Sequence, residues 1–73
     1  MATIRVKADI AGMISKVLVE VGHQVAVDDT LALLESMKME MPVPAPQAGR
    51  VTEIRTAQGE TVDEGDVLVI IET

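Results

Sequence analysis

A chain of 73 residues, 48% of them apolar and with a formal charge of −6, makes one small globular domain, too short to wrap a large core around a deep cleft. It contains no Phe, Trp, Tyr or Cys. That excludes base stacking on aromatic rings, disulfides, thiolate metal sites and a cysteine nucleophile, and the negative charge argues against nucleic acid, whose phosphates need Lys and Arg.

The chain reads as β throughout. Ile4-Arg5-Val6-Lys7 alternates apolar and charged residues, the period-two mark of a half-buried strand. Met13 to Val19 carries β-branched residues at near period two, and the turn Val21-Gly22-His23-Gln24 follows. A second turn, Val27-Asp28-Asp29-Thr30, leads into the apolar run Leu31-Ala32-Leu33-Leu34, as in a strand covered on both faces. Next come Glu35-Ser36-Met37-Lys38-Met39-Glu40-Met41 and a proline-rich exit, Pro42-Val43-Pro44-Ala45-Pro46, whose prolines block extra strand pairing. Arg50 to Arg55 repeats the β-branched pattern, Gln58-Gly59-Glu60-Thr61 and Glu64-Gly65-Asp66-Val67 are turns, and Val67 to Ile71 is a second continuous apolar run. No segment sustains a 3.6-residue period. Nothing resembles a signal peptide and no run approaches a membrane span, so a soluble, cytoplasmic protein with no membrane partner is expected.

The chain repeats itself. Displaced by 37 positions, residues 11–36 lie over 48–73 without a gap and are identical at 7 of 26 positions: Ala11/Ala48, Gly12/Gly49, Gly22/Gly59, Val25/Val62, Asp29/Asp66, Leu31/Leu68 and Glu35/Glu72. Apolar and turn positions recur in register, so each half has the same local structure, and two units too small to stand alone bury their apolar faces on each other. The expected fold is all-β: residues 1–73 form a single domain of seven or eight short strands in two small antiparallel sheets, a flattened barrel or sandwich with a pseudo-two-fold axis. Lys38 lies just past the first copy, and the matching point past the second is Thr73. The axis would set these two points at opposite ends.

The segment Glu35-Ser36-Met37-Lys38-Met39 resembles the attachment motif of biotinoyl (biotin carboxyl carrier) domains, usually Glu-Ala-Met-Lys-Met. Ala45-Pro46, Gly49 and Val51 match that family's Ala-Pro-x-x-Gly-x-Val pattern, and Gly22, Val25, Gly59, Val62, Gly65 and Asp66 match its turns and strands. The resemblance runs from about Ile4 to Glu72. Two departures are Asp28, where glycine is usual, and Ala8-Asp9, where Ala-Pro is common; no insertion supplies the protruding thumb of some bacterial carriers.

The resemblance implies covalent biotin on Lys38, installed by a biotin protein ligase that activates biotin as an adenylate, with Met37 and Met39 as flanks that partners read. A solvated lysine amine is protonated at neutral pH, and freeing its lone pair costs roughly 4 kcal/mol. The ligase must meet that cost, so no catalytic residue is assigned here. A biotin carboxylase and a carboxyltransferase complete the implied partners, and the chain is expected to be a carrier rather than an enzyme. No long linker lies within these residues, so a tether from another subunit, or transient docking, is expected.

Other readings of the same residues stand beside this one. A lipoyl carrier uses the same fold, though lipoyl domains usually show Asp-Lys-Ala where this chain has Met37-Lys38-Met39. An unmodified adaptor domain is a third. Met37 and Met39 could fill core gaps, and Met37, Met39 and Met41 could put three thioethers on one strand face for Cu(I), unless a turn at Lys38 breaks the face; no metal site is expected. His23 reads as a surface turn residue. Glu35 reads equally as a guide for the ligase or as a strand-end carboxylate, and Asp28, Asp29, Asp63, Glu64 and Asp66 as a solvated acidic rim.

Overall fold

The computed structural model describes residues 2–73 and contains eight strands: β1 (Thr3–Lys7), β2 (Gly12–Val17), β3 (Gln24–Val25), β4 (Thr30–Ser36), β5 (Met39–Pro44), β6 (Gly49–Ile54), β7 (Thr61–Val62) and β8 (Val67–Glu72). They form two four-stranded antiparallel sheets in the orders β1-β8-β6-β3 and β5-β4-β2-β7. Adding or subtracting 37 residues turns β1 into β5, β8 into β4, β6 into β2 and β3 into β7, so one sheet order becomes the other. The pseudo-two-fold expected from the repeat is therefore the symmetry of the fold.

The symmetry extends to single hydrogen bonds. Gly22 N–H donates to Val51 O at 2.8 Å, and Gly59 N–H donates to Ile14 O at 2.7 Å. Ala26 N–H donates to Asp29 Oδ2 at 2.8 Å, and Asp63 N–H donates to Asp66 Oδ2 at 2.9 Å. Asp29 and Asp66 thus close matching turns with their side chains, a local reason for the identity at these positions. The register also slips at equivalent places, between Ile14 and Lys16 in β2 and between Val51 and Glu53 in β6. Such bulges raise local twist, which small sheets need in order to wrap a core.

β4 and β8 are central strands, and their continuous apolar sequences follow from that. Leu31, Ala32 and Leu34 are buried in β4, as are Leu68, Val69, Ile70 and Ile71 in β8. All of these but Ile70 join Ile14 and Val51 in an aliphatic core that, among the described residues, contains no methionine. Gly12 and Gly49 begin β2 and β6 against it. A Cβ on Gly49 would stand 2.6 Å from both Glu72 O and Ile71 Cγ2, so this glycine serves close approach of two strands, not a turn.

Two sequence expectations change. The proline-rich exit is itself a strand: β5 runs through Pro44, with Pro42 opposite Leu33 and Pro44 opposite Thr30. It lies at a sheet edge, where proline's missing N–H costs no ladder bond. The sheets also remain a sandwich rather than a closed barrel. An open groove lined by Arg5, Lys7, Met41, Pro42 and Pro44 separates edge strands β1 and β5. Among the described residues no helix is long and apolar enough to cross a membrane.

Candidate functional site

β4 and β5 form the β-hairpin that carries the lysine. Their ladder ends with Glu35 opposite Glu40 and Ser36 opposite Met39. Only Met37 and Lys38 remain to turn the chain, and both have positive φ, 52° and 65°. That is the signature of a two-residue type I′ turn, whose twist matches the flanking strands. Asn-Gly or Asp-Gly is the usual occupant, because a side chain in this region costs about 1–2 kcal/mol. Here two long side chains occupy it, and the turn thrusts both outward. Met37 is 89% exposed and Met39 65%. Lys38 is exposed as well, and the one ion pair among the described residues joins Arg55 to Glu53 in β6 and the loop after it. The amine is therefore presented to solvent without a partner.

The turn also decides the thioether question. Met37 belongs to the turn and Met39 and Met41 to β5, so the three do not share a strand face. Among the described residues no group of His, Asp or Glu is placed to hold a metal ion.

Beneath the tip the two-fold is broken. Ser15 Oγ lies 2.9 Å from Glu40 Oε2 and 3.2 Å from Leu33 O, so its single proton is shared between a strand carbonyl and the hairpin carboxylate. Its repeat counterpart Thr52 bonds only to a carbonyl, Ile70 O at 3.3 Å. Glu40 thereby ties the lysine hairpin to β2. The sequence offered no sign of this, because residues 15 and 40 meet only once β2 and β5 flank β4. Glu35 is exposed and directly opposite Glu40, so two carboxylates share one face under the amine. Like charges so placed repel. Among the other singled-out residues, His23 Nδ1 accepts from Glu20 N–H at 3.2 Å and finishes its own turn. Asp28 takes φ 71° where its repeat counterpart Gly65 takes 91°, so the departure noted in the sequence falls on a left-handed position.

At the other end of the molecule the chain termini reproduce the hairpin without a covalent turn. Thr73 N–H donates to Ala2 O at 3.0 Å, and Ala2 N–H donates to Thr73 Oγ1 at 3.2 Å. By the 37-residue relation this is the Ser36–Met39 pair repeated. β4 runs to the hairpin and β8 to the paired termini. β8 starts beside the β1–β2 connection, where Gly65 N–H donates to Ala8 O, and β2 starts opposite Glu35 at the hairpin end. The two points thus lie at opposite ends of a molecule 36 × 18 × 17 Å in extent.

A family model described as "Biotin-requiring enzyme" matches residues 3–71, nearly the whole fold just described. The chain belongs to the biotin/lipoyl attachment family. As a biotin/lipoyl attachment domain it is a carrier and not itself a catalyst. It is 44% identical over 64 residues to the biotin/lipoyl attachment protein of Bacillus subtilis, covering 88% of each chain. It is 45% identical over 64 residues to the biotin carboxyl carrier protein of Streptococcus mutans, covering 88% of this chain and 49% of that one. A lipoyl relative also matches: the dihydrolipoyllysine-residue acetyltransferase component of the pyruvate dehydrogenase complex of Pseudomonas aeruginosa is 39% identical over 61 residues, covering 84% of this chain and 11% of its own. Among solved structures, the urea carboxylase of Kluyveromyces lactis superposes with a TM-score of 0.92 at 29% identity, over 99% of this chain and 6% of that one.

Proposed function

We propose that this attachment domain is a biotin carboxyl carrier, acylated on Lys38 by a biotin protein ligase and visited in turn by a biotin carboxylase and a carboxyltransferase. The observation that carries the reading is the strained two-residue turn, which places one unpaired amine between two exposed thioethers. The fit is chemical: an amide bond needs only an accessible amine, and no described residue covers this one.

The residues then have separate parts. After losing a proton, Lys38 Nζ attacks the acyl carbon of the biotinyl adenylate, the acyl–phosphate bond breaks with AMP leaving, and loss of a second proton makes the nitrogen an uncharged amide, which removes the positive charge from the tip. Met37 and Met39 offer flexible, polarizable apolar surface on either side, suited to partners of different shape. The Ser15–Glu40 bond and the β4 ladder hold the hairpin still, so that position and not reactivity is what the domain contributes. When bound, biotin supplies a ring nitrogen that holds a carboxyl group during its transfer. The distance between tip and termini leaves the amine clear of whatever holds the other end.

Met37 and Met39 favour biotin over lipoate, since they agree with the biotinoyl pattern and not with Asp-Lys-Ala. The test is to incubate the purified chain with biotin, ATP and a biotin protein ligase, and in parallel with lipoate, ATP and a lipoate ligase. One biotinyl group should appear by intact mass and map to Lys38, and Lys38→Ala should take none. Lipoylation in place of biotinylation, or label on Lys38→Ala, overturns the reading.

A further inference from the structure

Four methionines lie among the described residues, and all four are at the hairpin end. Met37 and Met39 belong to the tip, Met13 pairs with Glu35, and Met41 pairs with Leu34. The repeat supplies an internal comparison: the counterparts of Met13, Met39 and Met41 are Arg50, Ala2 and Ile4, so among the described residues the methionines gather at one end of a symmetric fold. The exposures are graded, 89% at Met37, 65% at Met39 and 40% at Met13. The positive φ of Met37 keeps its side chain on the turn, outside the core. There is no Cys, Phe, Trp or Tyr to compete for an oxidant, and among the described residues the core holds no methionine to be damaged.

From this arrangement we infer that Met37 and Met39 are a reversible oxidation site that controls loading of Lys38. This inference rests on the biotin reading above. The reaction takes hydrogen peroxide as oxidant. A thioether lone pair attacks one peroxide oxygen, the O–O bond breaks, sulfur loses two electrons as the peroxide is reduced, and the proton on the attacked oxygen passes to the departing one, which gives the sulfoxide and water. The product is polar and chiral where the thioether was apolar and flexible, and reductases specific for methionine sulfoxide reverse it. A ligase that closes over the thioethers would have to bury a sulfoxide oxygen without a hydrogen-bond donor. Leaving one such group unpaired is enough to slow loading roughly tenfold. The fold is spared because its core contains nothing oxidisable, so the modification acts as a switch on the hairpin and not as general damage.

The experiment uses the full chain, untreated, peroxide-treated, and peroxide-treated then reduced with methionine sulfoxide reductases. Peptide mass mapping follows each methionine, melting follows the fold, and the rate of biotin transfer by a biotin protein ligase follows the site. Met37 and Met39 should oxidise before Met13 and Met41, loading should slow roughly tenfold with the melting temperature unchanged, and reduction should restore the rate. In the Met37→Leu/Met39→Leu double variant, whatever its starting rate, peroxide should leave that rate unaltered. Equal loading of oxidised and untreated chain overturns the switch while leaving the biotin reading intact. So does a peroxide effect that persists in the double variant. Failure of the untreated chain to accept biotin at all overturns the underlying reading instead.

Discussion

Lys38→Gly should make the domain more stable than Lys38→Ala. Both substitutions remove the amine and its charge, and with them any interaction with Glu35 and Glu40, so that contribution cancels between the two variants. They differ in the Cβ at a position whose φ is 65°. Alanine keeps the left-handed penalty of about 1–2 kcal/mol, and glycine removes it. Against this, glycine loses about 0.5–1 kcal/mol more than alanine in backbone entropy on folding. The difference between the central values, roughly 0.75 kcal/mol in favour of glycine, corresponds to about 3–6 °C for a domain of this size, at about 4–8 °C per kcal/mol. Thermal melting of both variants beside the parent chain reads it directly, with loading assayed in parallel. Lys38→Ala should melt close to the parent, Lys38→Gly above it, and neither should accept biotin. A glycine variant that melts at or below the alanine variant would refute the argument that the tip is held in a strained conformation to display a lysine.

Three further outcomes are expected. Gly49→Val drives a side chain against Glu72 O and Ile71 Cγ2, both 2.6 Å from the new Cβ; a loss of about 1–3 kcal/mol should appear in denaturant melts, and an unshifted midpoint would discard the close-approach role. Thr56 Oγ1 is buried with no hydrogen-bond partner, and its repeat counterpart is Val19; Thr56→Val should therefore stabilise the fold by about 1–2 kcal/mol, whereas a lower melting temperature would mean that the hydroxyl has a partner in solution. Met39→Leu should keep the fold and slow carboxylation of the attached biotin by a biotin carboxylase, and unchanged turnover would show that this thioether is not read.

Much of the architecture was legible because it rests on local rules that the chain states twice. The alternation in Ile4 to Lys7, the apolar runs at Leu31 and Val67 and the turn residues around Gly22 and Gly59 each report the environment of one short segment, and the 37-residue repeat pairs those segments into halves. From these alone the sequence fixes an all-β, two-fold molecule with Lys38 at the junction of the copies and Met37 and Met39 on either side. Tertiary structure decided the rest, because the remaining features depend on which strands become neighbours. Pro42 and Pro44 suit a strand only once β5 lies at an edge. Ser15 and Glu40, 25 positions apart, meet only because β2 and β5 flank β4. Gly49 matters only where β6 crosses the carbonyl of Glu72. Two non-glycine residues adopt positive φ at the tip only because the paired strands on either side leave the chain no other way to turn, and so the cost of ordering a lysine in the open is carried by the ladder beneath it.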